Sequence, residues 1–169
     1  MMLPKLAKQQ GAMMLETAYV LPILVGVVLF IIETLSYAMN SILVNDVLTD
    51  LHLTIIDEVQ AVSQLEEGQA VPANVLYAFC DNGTVRIPVG SNDSMLALVQ
   101  SALEQKRVEM LQSDPGRVTV TAQTESNFDL YLVRFDGTAN SLILPGFLNQ
   151  LLPIQVDTVI SIKASCQNN

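Results

Sequence analysis

The sequence predicts an α+β protein in which a long N-terminal transmembrane and amphipathic helix packs on a small antiparallel sheet, with one disulfide. Three observations predict it. Residues 17–32 are apolar and carry no charge. Apolar residues then recur every three or four positions from Val44 to Val62, which is one face of a helix. From Val75 onward, short alternating segments are separated by glycine, proline and asparagine, as strands are.

The anchor comes first. With 169 residues, half of them hydrophobic, the chain has the scale of one compact domain plus an anchor. A spanning helix needs about 20 mostly apolar residues, and 12–44 supplies them with Glu16 and Glu33 as the two exceptions. A cleaved secretory signal is the competing reading. It fits less well, because the apolar stretch is long and runs straight into a further helical pattern. Lys5 and Lys8 precede the anchor, and no other basic residue occurs before Arg86. The positive-inside rule then keeps the N-terminus cytoplasmic and sends the residues beyond about 45 across the membrane.

The helix continues past the bilayer. Val44, Val47, Leu48, Leu51, Ile55, Val59 and Val62 form its apolar face, with Asp46, Asp50 and Asp57 opposite. It is expected to end near Glu67-Gly68, where glycine is a natural stop. Such a helix, from Ala12 to Glu66, would be roughly 80 Å long.

The amphipathic half has a sheet to cover. Val75–Cys80 and Thr84–Val89 flank Asp81-Asn82-Gly83, a hairpin turn, and Pro88 puts the second strand at an edge. Ser91–Ser94 offers helix caps, followed by a helical face of Met95, Leu98, Val99, Ala102 and Leu103 that runs to Asp114-Pro115-Gly116. Arg117–Thr124 alternates with Val118, Val120 and Ala122 inward, and Asp129–Asp136 with Tyr131, Val133 and Phe135. Leu142–Leu152 is apolar and broken at Pro145-Gly146, which reads as a short broken helix. Val156, Thr158, Ile160, Ile162 and Ala164 alternate to the end, with Cys166 in phase.

Two cysteines in an exported domain read as one bridge, Cys80 to Cys166, worth about 4 kcal/mol in the chain-entropy model. Two free buried thiols are the alternative. The formal net charge of −9 argues against nucleic acid and anionic lipid headgroups as ligands. The single histidine, His52, has no cysteine or second histidine near it and reads as a packed or solvated side chain. Asp81-Asn82-Gly83 and Asn92-Asp93 suit turns and caps better than a calcium loop. No phosphate-cradling loop, zinc spacing or nucleophile elbow appears, so no enzyme, metal or cofactor is expected.

An acid inside a membrane helix costs about 2.5 kcal/mol or more, so Glu16 calls for a partner unless it snorkels to the headgroups. The pattern Gly11, Ala12-Met-Met-Leu, Glu16, then an apolar helix with Leu21-Pro22 and a second acid at Glu33, resembles the TadE/TadF-like minor pilins (pseudopilins) of tight-adherence (Tad) type IV pili. The resemblance covers about residues 8–40. Thr17 stands where many of these proteins carry an aromatic residue.

The resemblance implies a function. A prepilin peptidase would cut after Gly11, making 1–11 a cytoplasmic leader and Ala12 the new N-terminus. The mature parts would be a transmembrane helix at 12–44, an amphipathic continuation at 45–67 and an exported domain at 70–169. The protein would sit in the bacterial inner membrane as a single pass, with its C-terminal domain periplasmic, and serve pilus assembly. Implied partners are the peptidase, other minor pilins, the major pilin, inner-membrane platform proteins and membrane lipid. Pro22 would kink the helix or be a tolerated proline near its start. Glu33 is expected at the outer interface, needing no partner. The alternative function is an unprocessed, membrane-anchored periplasmic binding module.

Overall fold

The computed structural model describes residues 5–65, 71–124, 128–141, 143 and 153–166, with residues 5–17 described as backbone only. The architecture is α+β, as the sequence predicts. One helix, α1 (Lys5–Ser63), runs 59 residues without interruption, roughly 90 Å at 1.5 Å per residue. It is followed by β1 (Phe79–Asp81), β2 (Thr84–Arg86), β3 (Gly90–Ser91), α2 (Asp93–Gln105), β4 (Arg117–Thr124), β5 (Asp129–Gly137) and β6 (Ile154–Ile162).

The strands make two antiparallel sheets. β1 and β2 form a separate hairpin, and the larger sheet has the order β3-β4-β5-β6. β5 is the central partner, pairing along its length with β4 (Val120↔Val133) and with β6 (Tyr131↔Ile160). One face of this sheet carries Val118, Val120, Tyr131, Val133, Phe135 and Ile160, all buried. Against it lie the far half of α1, through Val44, Val47, Leu48, Leu51, Ile55 and Val62, and α2, through Met95, Val99 and Leu103. The predicted α1 face is the buried one, and Asp46, Asp50 and Asp57 are exposed opposite it.

Several boundaries differ from expectation, each for a physical reason. The first two strands are shorter than Val75–Cys80 and Thr84–Val89. The backbone N–H groups of Leu76, Tyr77 and Ala78 all donate to the Glu58 carboxylate, so that stretch has no donors left for a ladder. β2 stops at Arg86, two residues before Pro88, which has no N–H to offer. The hairpin turn itself is as expected: Asn82 (φ 49°) and Gly83 (φ 77°) take the paired positive φ angles of a tight hairpin.

α2 begins where the caps allow, with Asn92 accepting from the Met95 N–H, but it ends at Gln105 rather than reaching Asp114. Its stop is a Schellman-type turn: Val108 N–H bonds to Leu103 C=O, and Arg107 holds φ 60° where glycine is usual. The sequence reading passed over β3, a two-residue edge that pairs Gly90 with Val120. Because β3 is that short, residues 121–124 of β4 have a neighbour on one side only, and Ala122 is exposed rather than inward. β6 starts two residues before Val156, with Ile154 buried opposite Gly137. α1 ends at Ser63, short of the expected stop at Glu67-Gly68, with Gln64 and Leu65 already out of the helix; Glu67-Gly68 themselves and nearly all of 142–152 lie outside the described residues.

The bridge is formed. Cys80 and Cys166 are joined, with a Cα–Cα separation of 6.0 Å. Cys166 follows β6, where its N–H bonds to Gly83 C=O, so the disulfide staples the β1–β2 hairpin to the chain's last described residue. Both cysteines are half-buried rather than fully enclosed.

Candidate functional site: the bare helix and its junction with the domain

α1 has two unlike halves. From Ala18 to Ile32 every residue is exposed, including Tyr19 (69%), Ile23 (67%) and Phe30 (66%). A helix that is apolar all round is stable only when something apolar surrounds it. Each large side chain left in water forgoes about 1.5–3 kcal/mol of burial. Among the described residues, α1 is the one helix long and apolar enough to cross a membrane. Hardly any of its most apolar stretch is buried within the molecule. Residues 12–32 alone span about 30 Å, the thickness of a bilayer's hydrocarbon core.

The residues singled out by the sequence fall in this half. Gly11, Ala12 and Glu16 lie within the helical backbone of α1, and their side chains are outside the described set. Pro22 is exposed, and helix continues on both sides of it. Cys80 and Cys166 are far away in the chain's folded half and belong to its staple.

The junction begins at Glu33, and here expectation is corrected. Glu33 is not a free interfacial acid. It is 5% exposed, and its Oε2 accepts the Ile143 N–H at 3.1 Å. The domain folds down onto the helix at that point, which removes the carboxylate from solvent and obliges it to find a donor. One turn on, the Tyr37 hydroxyl donates to the Pro153 carbonyl at 3.0 Å. Glu33, Tyr37 and Asn40 line a small cleft of about 20 Å³ together with Ser36, Ala139, Asn140 and Ser141. That is room for one water molecule among polar neighbours.

Farther along α1, polar contacts fasten helix to domain at intervals. Asp46 accepts from the Lys106 ammonium at the end of α2, and that hydrogen bond raises the Lys106 pKa above the ordinary lysine value. The pair is exposed and contributes little to stability. His52 Nδ1 and Thr158 Oγ1 share a 3.0 Å hydrogen bond, so the lone histidine is a packed one. Glu58, 7% exposed, accepts three successive backbone N–H groups. Sequence reasoning passed over Glu58, although it falls in the apolar stripe between Ile55 and Val62.

Chemistry beyond fastening is sparse. Among the described residues no group of three or more His, Cys, Asp or Glu could hold a metal ion. A surface cleft of about 1100 Å³ lies beside the end of α2 and is lined by Gln100, Glu104, Arg107, Met110, Leu111 and Pro115 among others. These mixed side chains include no nucleophile paired with a base. The outer face of the large sheet carries the Arg134–Asp157 ion pair, whose hydrogen bond holds the Asp157 carboxyl below the usual carboxylate range.

Fold and junction together define an α+β protein with a membrane-compatible helix continuous with its core helix. Compared with known proteins, the chain matches no family model, no curated protein and no solved structure.

Proposed function

We propose that the chain is a minor pilin or pseudopilin that serves assembly of a tight-adherence type IV pilus. It is anchored in the bacterial inner membrane by its N-terminal helix, with the N-terminus cytoplasmic and the domain periplasmic. Prepilin peptidase removes 1–11 by cutting between Gly11 and Ala12. Sibling minor pilins, the major pilin and the platform proteins of the machine are its partners.

The observation that carries this reading is one helix with two occupations. Residues 18–32 are bare and apolar on every side, and the same helix then becomes the core helix of a disulfide-stapled domain. A rod of that kind suits a subunit that is stored in lipid and later shares its apolar half with neighbours. The glycine five residues before Glu16 supplies the remaining element. Cutting there creates a charged amine on Ala12, one turn from Glu16. Amine and carboxylate, on one subunit or on two, neutralise each other in an apolar interior where either alone is costly.

N-terminal mass spectrometry of the protein from cells with a working peptidase tests the reading. A chain that begins at Ala12 is the expected result. A chain that keeps its leader overturns the pilus reading and favours an unprocessed, membrane-anchored binding module.

A further inference from the structure

α1 carries a second apolar stripe, which its own domain leaves bare. Leu35, Met39 and Ile42 follow one another at steps of four and three, within about 60° of the line opposite Glu33. They are 60%, 64% and 67% exposed, and Leu53, farther along the same line, is 55% exposed. Steps of this kind make the seam between two helices packed side by side.

Lipid does not account for this part of the stripe. Residues 12–32 already span a hydrocarbon core of about 30 Å. The turns that carry Leu35, Met39 and Ile42 meet the domain on their other face through polar groups. Glu33 accepts the Ile143 N–H there, Tyr37 donates to Pro153, and Ser36, Asn40 and Asn140 line the small cleft. Bare apolar side chains at that level face water until another protein covers them.

Charge limits what that protein is. Beyond Ile42, on the same side of α1, stand Asp46, Asp50 and Asp57, all exposed. Lys106 bonds Asp46 and feels the Asp50 charge, while Asp57 has no ion pair among the described residues. Three carboxylates thus share one ammonium. A second copy anchored in the same direction sets each aspartate against its own counterpart, and like charges facing across an interface repel. A different helix with cations at that height is attracted instead.

We infer that the outward face of α1 from Leu35 to Asp57 docks a helix of another protein and turns away a second copy of this chain. The partner helix has an apolar stripe to match Leu35, Met39 and Ile42. It carries basic residues level with Asp50 and Asp57, about 12 and 22 Å beyond Ile42. The inference rests on the membrane-anchor reading above and deepens the partnership proposed there, by making the partner an unlike chain.

The two cysteines of the chain are joined, so one added cysteine is a unique thiol. The full chain with Met39→Cys is reconstituted into phosphatidylcholine vesicles, where a bismaleimide reports paired helices. The probe is a tagged full chain with Met39→Cys, Asp50→Lys and Asp57→Lys, which keeps the stripe and reverses its flanking charge. The mixed pair is expected to cross-link severalfold more than either like pair. That excess should shrink in about 1 M salt, where exposed charges are screened. Leu35→Asn with Ile42→Asn in both chains should abolish it.

Like pairs of the parent chain that cross-link as well as the mixed pair overturn the inference. So does a mixed product that survives the two asparagines or ignores salt. Aqueous maleimide separates the remaining cases: Met39→Cys alone should react as the exposed Leu53→Cys does, and Leu24→Cys should not. A Met39→Cys as protected as Leu24→Cys means that lipid covers the stripe, which overturns the inference and leaves the anchor standing. A reactive Leu24→Cys fails the anchor reading itself.

Discussion

Glu58 Oε2 accepts the backbone N–H of Tyr77 at 2.6 Å, and the N–H groups of Leu76 and Ala78 on either side at 3.1 and 3.2 Å. One helix carboxylate thus does for three consecutive residues what a neighbouring strand would otherwise do. It explains why the chain between Pro72 and Phe79 is ordered against α1 without being a strand. Hydrogen bonds to a charged acceptor are worth about 1.5–3 kcal/mol, and buried donors left without one cost a similar amount. Glu58→Ala should therefore lower unfolding stability by about 3 kcal/mol, and Glu58→Gln by less, since an amide oxygen still accepts. Denaturant unfolding of the full chain in detergent measures both. An alanine variant as stable as the parent contradicts the assignment.

The disulfide should matter more than any single contact. Cys80 and Cys166 are 86 residues apart in sequence, and a loop of that length corresponds to about 4–5 kcal/mol of unfolded-state entropy in the chain-entropy model. The double variant Cys80→Ser/Cys166→Ser should lose most of that stability. Hydrogen exchange should rise first in the β1–β2 hairpin, which the bridge ties to the chain after β6 alongside hydrogen bonds around Ala164 and Cys166 and the buried Val85. Uniform loss of protection across both sheets would argue against a local staple.

Alkaline pH should destabilise the domain through its buried tyrosines. Burial raises the Tyr131 pKa, and burial together with the Glu58 charge raises that of Tyr77. A folded-state pKa above the unfolded value gives a contribution that is complete below about pH 10 and lost as pH rises through the folded pKa. Stability should be level with respect to these groups at neutral pH and fall above about pH 10. Tyr77→Phe should flatten part of that fall; an unchanged alkaline limb would remove Tyr77 from the account.

Glu16→Ala tests the proposed amine–carboxylate pair. Removing an acid from an apolar helix favours insertion, so membrane insertion should be retained. Incorporation into pilus assemblies should fall, measured by co-purification with sibling pilins from cells. Full incorporation sinks the pairing idea and leaves snorkelling as the account of Glu16.

Much of the fold was legible because its signals are local. The buried stripe of α1, Val118 and Val120 of β4 and the inward sets of β5 and β6 follow from periods of three to four and of two, and the Asn82-Gly83 turn from its residue types. The disulfide was read from two cysteines in an exported domain, with Cys166 in phase with the inward alternation of β6 as support. Glu58 was passed over and Glu33 was read as needing no partner, yet a signal existed. Glu33, Tyr37, Asn40, Val44, Val47 and Leu51 follow one another at steps of four and three, as do Leu51, Ile55, Glu58 and Val62. Polar members of an apolar stripe are residues that burial will force to find partners. The processing site, Gly11, Ala12 and Glu16, is argued from sequence and resemblance alone, because the structure describes only helical backbone there.

By itself, then, the sequence determined the kinds and order of the main elements and most of the faces they bury, because those depend on residues a few positions apart. Tertiary structure alone decided how polar groups are satisfied across long separations: Glu33 with Ile143, Tyr37 with Pro153, His52 with Thr158, and Glu58 with 76–78. It decided as well that the β1–β2 hairpin forms a sheet of its own, bridged to the residues after β6 through Thr84 and Ser165. The physical reason is that a backbone N–H or C=O bonds to whichever complementary group packing brings within about 3 Å, and no local period encodes that.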